Sequence, residues 1–325
     1  MAAVHSLTEA IDNLYTSTWQ HMKGGAIDNI FTATPFWFWM RDKGRLKTQG
    51  GGRHILEPIE YAKNDGVKFI GKGGTVSLND REFLTEAIYD WRYLIAPLVR
   101  FGVDDQKNRG KTKILSLINS KLSNAENSLV DTLETTLFAN VGADGGAFDG
   151  LLHLVQDDPT SSTVVGAINQ STNSWWQNKQ LTMNTVSFAT SGVDKMRTML
   201  NNVTNNRLKD RSDIILTGQT PYEYYEDAAF TKLEIQNTKL AELGFDHLTF
   251  KGIPLVWSPA CGLRMYFLNT SFLSFVYDPA MFFDMTEWKP IPEQVNDKAA
   301  QIATACTTTT NRRRVLGVIH TIDTA

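Results

Sequence analysis

GGGRHILEPIEYAKNDGVKFIGKGGTVSLND, residues 50–80, is the stretch on which the fold turns. Its second half, GVKFIGKGG at 66–74, reads G-x-x-x-x-G-K and so resembles a phosphate-binding loop. A working loop needs Ser or Thr after the lysine to hold magnesium, and a helix opening there. Gly73 stands in that place. The residues between the glycines, Val67, Lys68, Phe69 and Ile70, are strand formers rather than the small residues that wrap phosphate oxygens. The first half alternates: Ile55, Glu57, Ile59 and Tyr61 share one face, and His54, Leu56, Pro58 and Glu60 the other. With turn chemistry at Asn64-Asp65-Gly66, the stretch predicts a β-hairpin between glycine hinges, with GVKFIGKGG as its returning strand. Pro58 asks for an edge position, and a lone two-stranded hairpin is marginal in water. Support from outside the monomer is therefore expected.

Working outward, 325 residues with 42% hydrophobic side chains suffice for one large domain or two ordinary ones. A formal net charge of -3, from 32 basic and 35 acidic residues, supplies no global attraction to nucleic acid or to an anionic membrane. Cys261 and Cys306 have no Cys or His neighbour at ligand spacing, which indicates neither a disulfide framework nor a zinc site. The N-terminus lacks a basic region followed by an apolar core, and the apolar region 265–285 is interrupted by Asn269, Asp278 and Pro279. Neither a secretory signal nor a spanning helix is expected.

Upstream, Phe36, Trp37, Phe38 and Trp39 follow Pro35 in a segment too short to bury four rings by itself. They pack either on the core or on a neighbouring subunit. Downstream, NDREFLTEAIYDWRYLIAPLVRFG at 79–102 predicts a helix capped by Asn79 or Asp80 and ended near Pro97 and Gly102. A longer helix is expected from about 104 to 140. Its stripe is Ile114, Ile118, Leu122, Ala125, Leu129, Leu133 and Leu137, a domain-long spine of about 50 Å. Residues 146–283 mix strands with capped helices at 191–206 and 219–230, an α+β region. The last stretch, 292–325, predicts two long strands around the loop TTTTN at 307–311, so the domain they close is discontinuous.

Catalytic signals are absent. The six histidines are dispersed, no nucleophile elbow or H-E-x-x-H occurs, and the acidic pairs Asp104-Asp105 and Asp157-Asp158 read as solvated surface. No catalytic, cofactor or metal residue is assigned. Arg312-Arg313-Arg314 is the densest basic run, either a charged strand start or a contact with a subunit or a genome. Trp175-Trp176 lacks the basic surround that base stacking would want.

The order of elements, with FDGLLHLV at 148–155 and RRRVLGVIHT at 312–321, resembles the major capsid protein family of tailed bacteriophages, whose fold encapsulins and herpesvirus shells share. The resemblance implies an α+β fold divided into an N-terminal arm (1–44), an extended hairpin loop (45–80), a peripheral domain (81–145 and 284–325, with the spine helix) and an axial domain (146–283). It implies pentamers and hexamers of an icosahedral shell around double-stranded DNA, held without sequence specificity. It further implies a separate scaffolding protein, a portal and decoration or cement proteins, assembly in the host cytoplasm, and no membrane or cofactor. Subunit contacts would fall on Phe36, Trp37, Phe38 and Trp39, on Arg53, Glu57, Tyr61, Lys63, Lys68, Phe69 and Lys72 of the hairpin, and on Arg312, Arg313 and Arg314. An encapsulin-type nanocompartment and, in a different class, an α/β enzyme are the alternatives.

Overall fold

A computed structural model describes residues 7–32, 34–64, 67–75, 82–102, 111–140, 146–184, 186–204, 208–229, 248–294 and 297–322. The chain forms two compact units, one from Met1–Gly52, Trp91–Gly150 and Phe275–Thr308, the other from Arg53–Asp90, Leu151–Ser274 and Thr309–Ala325.

The first unit joins helices to a sheet. Helix α1 (Leu7–Thr32) and helix α2 (Pro35–Asp42) precede strand β1 (Leu46–Thr48). Trp19 of α1 is buried and donates its indole N–H to the Phe283 carbonyl at 3.1 Å. In α2, Pro35 opens the helix, where a missing N–H costs nothing, and Phe36, Trp37 and Trp39 turn inward. Trp37 meets Phe275 edge-on at 5.0 Å. These aromatics are core residues of their own unit. The spine is helix α3 (Lys111–Phe138), about 42 Å long, and buries Leu122, Ala125, Leu129, Leu133 and Leu137. The expected start of the helix at 104–110 and the side chains of Ile114 and Ile118 lie outside the described residues.

The helix expected at 79–102 is replaced by two strands, β3 (Leu84–Tyr89) and β4 (Arg92–Arg100), its expected caps Asn79 and Asp80 lying outside the described residues. The apolar residues of RYLIAPLVR satisfy either period. In the fold, Ala96, Leu98 and Arg100 face inward while Tyr93, Ile95 and Val99 face out, a period of two. Strand pairing decides the case: β4 runs antiparallel to β15 (Lys298–Thr310) from Arg92↔Cys306 to Arg100↔Lys298. Pro97 is tolerated because, among the described residues, β4 pairs on one side only. β15 also absorbs Thr307–Thr310, which the sequence assigned to a loop. Their β-branched side chains suit a buried strand. The rest of this sheet is β1, β12 (Leu273–Tyr277), β13 (Asp284–Met285) and β14 (Lys289–Pro290).

The second unit is built on a six-stranded mixed sheet in the order β7 (Lys179–Thr182), β16 (Gly317–His320), β11 (Met265–Leu268), β8 (Ile214–Thr217), β10 (Ile253–Trp257), β9 (Leu248–Phe250). The one-turn helix α4 (Leu151–Leu154) opens this part of the chain. Helix α5 (Phe188–Val203) buries Met196, Met199, Leu200 and Val203 in a core shared with Ile215, Leu255, Phe267 and Ile319. Helix α6 (Gln219–Ala229) adds Tyr225, whose phenol is raised above its ordinary range by burial. Gly218 joins β8 to α6 where a Cβ would overlap the Gly262 carbonyl, so only glycine lets the backbones approach so closely.

The hairpin belongs to this unit, and its register corrects the sequence reading. β2 (Ile55–Glu60) pairs antiparallel with β3, from Ile55↔Tyr89 to Glu60↔Leu84, rather than with a strand at Val67. The two strands enclose a 23-residue connection, 61–83, whose turn residues Asp65 and Gly66 lie outside the described residues. GVKFIGKGG forms no strand among its described residues. Its glycines and lysines favour an exposed loop, whereas LTEAIY offers the alternation and inward Ala87 and Tyr89 that burial rewards. Beneath lies a small hairpin, β5 (Val164–Val165) and β6 (Ile168–Asn169), whose turn holds Gly166 and Ala167 both at positive φ. Gly166 accepts the Ile88 N–H at 3.0 Å. A Cβ on it would press on Ala87 at 2.9 Å.

Candidate assembly surfaces

The hairpin has two unlike faces. Inward, Ile55, Ile59, Ala87 and Tyr89 are buried, and Tyr89 donates its hydroxyl to the Thr310 carbonyl at 2.8 Å. The charge on this face is explained: Glu57 is buried and accepts a hydrogen bond from Thr309 Oγ1 at 2.9 Å. Outward, Leu56, Leu84 and Ile88 are exposed, and the connection adds Phe69 and Val67, fully and 83% exposed, with Ile70 and Phe83. A folded subunit gains nothing from these side chains in water. At the hairpin's foot His54 Nδ1 lies 2.7 Å from Asp90 Oδ1. Arg53, Lys63, Lys68 and Lys72 are exposed.

A second apolar surface was missed by the sequence reading. Tyr93, Ile95 and Val99 project from the outer face of β4, with exposed Phe101 just beyond its end, and among the described residues β4 pairs along one edge only. Between β4 and α3 runs a groove of about 520 Å³, floored by Ala125 and Leu129. The spacing i, i+2, i+6, i+8 was the available signal, hidden because the same run also fits a helix.

The arginine run divides into three environments. Arg313 is fully buried and gives Nε to the Leu154 carbonyl at 2.7 Å, Nη1 to Gln170 Oε1 at 2.9 Å and Nη2 to Asn178 Oδ1 at 3.1 Å. Its guanidinium also sits over Trp176 at 5.8 Å. Burial pulls its pKa down to about 10, with the charge of Tyr89 acting the other way. The planar fork is what lets one side chain join three segments. Arg312 pairs with buried Asp210 at 2.8 Å and lies over the Phe272 ring. Arg314 is half-buried, with no ion pair among the described residues. Trp176 is buried and gives its indole N–H to the Val165 carbonyl at 2.9 Å, so its ring is not available to a base, and half-buried Trp175 lies against Tyr61 at 5.3 Å.

The fold thus gathers Tyr61, Lys63, Arg312 and Arg314, distant in sequence, around one cleft of about 370 Å³. It leaves Glu57 and Arg313 inside their unit, Phe36, Trp37 and Trp39 in the other core with Phe38 half-buried, and Lys68, Phe69 and Lys72 on the loop. Among the described residues no group of three His, Cys, Asp or Glu side chains could hold a metal ion, and no helix is long and apolar enough to cross a membrane.

No family model matches the chain, and no curated protein matches it in sequence. Solved structures do. The cyanophage A-1(L) capsid is 16% identical, with a TM-score of 0.65 over 86% of this chain and 90% of that one. The holo-SrpI encapsulin complex from Synechococcus elongatus is 11% identical, with a TM-score of 0.53 over 89% and 88%. The satellite phage P4 procapsid, which includes a size determination protein, is 10% identical, with a TM-score of 0.53 over 93% and 91%. The chain has the tailed-phage major-capsid fold, which encapsulin shells share.

Proposed function

We propose, with that fold as premise, that this chain is a major capsid protein whose copies assemble head-to-tail into pentamers and hexamers of an icosahedral shell around double-stranded DNA. The observation that carries the proposal is the exposed apolar loop between β2 and β3, with Val67, Phe69, Ile70 and Phe83 in water. A subunit that stays alone has no use for it, whereas a neighbour that covers it gains about 25 cal/mol for each Å² removed from water. Head-to-tail contacts use two different patches, so a rotation that closes gives a ring. The role is structural rather than catalytic, and the chain works with a separate scaffold, a portal and decoration or cement proteins in the host cytoplasm. DNA is enclosed on the inner face without sequence specificity, and since a net charge of -3 gives no global attraction, any contact with it is local.

The encapsulin likeness supports a second reading, a protein-filled nanocompartment. One experiment addresses both. The purified chain is examined by size-exclusion chromatography and negative-stain microscopy beside a variant with 64–81 excised, which spares both strands of the hairpin. The wild type is expected to form shells and the variant to remain a folded subunit. A wild type that stays monomeric or dimeric under every condition refutes the proposal, and normal shells from the excised variant refute the role of the loop. In particles purified from the native source, DNA supports the capsid reading and protein cargo the other.

A further inference from the structure

The cleft that gathers Tyr61, Lys63, Arg312 and Arg314 carries cations that folding does not use. Arg312 is neutralised by Asp210. Lys63 and Arg314 have no ion pair among the described residues, although Glu60 also lines the cleft. The two loose cations wait for a carboxylate.

The same unit presents the complement. Glu223, Glu226 and Asp227 of α6 are exposed, and their spacing of three and four places them on one helix face. Glu223 accepts from Gln219 at 2.9 Å, and no cation pairs with the three among the described residues. Like charges so placed weaken a helix, so stability does not account for them. The two patches also lie apart. β8 and β16 run in the same direction, since each is antiparallel to β11. Asp210 and Arg312 stand where these strands begin, and α6 starts after β8 ends at Thr217.

Resting on the shell reading, we infer that the basic cleft of one copy receives the acidic face of α6 from the next copy. Two different, oppositely charged patches on one unit make a heterologous contact, the kind a ring requires. Carboxylates meet Lys63 and Arg314 there, and the pairing sets partner orientation and register as much as affinity.

The test is a charge swap in the full chain. Lys63→Glu with Arg314→Glu is expected to lower shell yield at least about tenfold at 0.15 M salt, as Glu226→Lys with Asp227→Lys does, because each faces like charges across the contact. All four together restore it. Circular dichroism melting of each variant excludes misfolding, and Lys63→Glu alone, on an exposed loop, carries the test if Arg314→Glu does not fold. Either pair assembling like the wild type, or no recovery in the fourfold variant, overturns the contact. So does a change in nucleic-acid content without a change in assembly, which would make the cleft a phosphate site. A wild type that forms no shell overturns the shell reading itself, and a wild-type shell indifferent to the swaps overturns this contact alone.

Discussion

Arg313→Ala separates a structural role for the arginine run from an interfacial one. The guanidinium donates to three acceptors, and its loss leaves two of them dry, the Leu154 carbonyl and Gln170 Oε1. Asn178 Oδ1 keeps the Gln156 N–H at 3.1 Å. Each orphaned buried acceptor costs about 1–3 kcal/mol. The vacated space over Trp176 adds about 1 kcal/mol of lost contact. The wild-type side chain also bears a desolvation cost, seen in the fall of its pKa to about 10, so truncation recovers a part. The net loss is about 4 kcal/mol, which at roughly 2–3 kcal/mol per molar urea moves the unfolding midpoint down by about 1.5 M. Arg313→Lys keeps a charge but not the fork, and loses about half as much. Tryptophan fluorescence of the unassembled subunit reads the transition, because Trp176 lies under the guanidinium. A midpoint within about 0.3 M of wild type, combined with a failure to assemble, would refute the internal role and return Arg313 to the subunit interface.

Gly218→Ala is expected to cost more than about 3 kcal/mol, because the added methyl overlaps the Gly262 carbonyl and the backbone must shift; soluble yield and melting temperature check it. Cys306 gives a pH signature: burial pushes its thiol up to about 12, while an unfolded thiol titrates from 9.0. Its contribution is constant below pH 9 and is lost as pH rises towards 12, by up to about 1.4 kcal/mol per unit, since the unfolded chain sheds that proton first. Cys306→Ala should flatten the fall in urea midpoint between pH 9.5 and 11, and an unchanged slope would exclude a buried thiol. Asp157→Asn should lower stability by about 1–2 kcal/mol by breaking the grip of both Asp157 oxygens on Arg264, which raises that guanidinium's pKa; thermal melting checks it.

The α+β fold class was legible because signals at several levels agreed. Leu122, Ala125, Leu129, Leu133 and Leu137 recur at helical period, and all are buried on the spine. The alternation in β2 and the apolar strands from Ile214 to Tyr277 were also readable. What failed were choices that local sequence leaves degenerate. LTEAIY and RYLIAPLVR fit helix and strand alike, and only the partners β2 and β15 make them strands. The same partners decide that β2 takes Leu84–Tyr89 rather than 67–75, since a register is fixed by which face finds a core.

The amino-acid order by itself determined that this is a mixed fold with a spine helix and an alternating first hairpin strand, because periodicity is a local property. Tertiary structure alone decided the fates of side chains that look identical in sequence. Arg312, Arg313 and Arg314 are consecutive and equally charged, yet one is paired, one is buried and one lines a cleft with Lys63, with no ion pair among the described residues. Their difference lies in dielectric surroundings and in partners brought from Asp210, Leu154, Gln170 and Asn178, and no reading of three neighbouring letters contains that information.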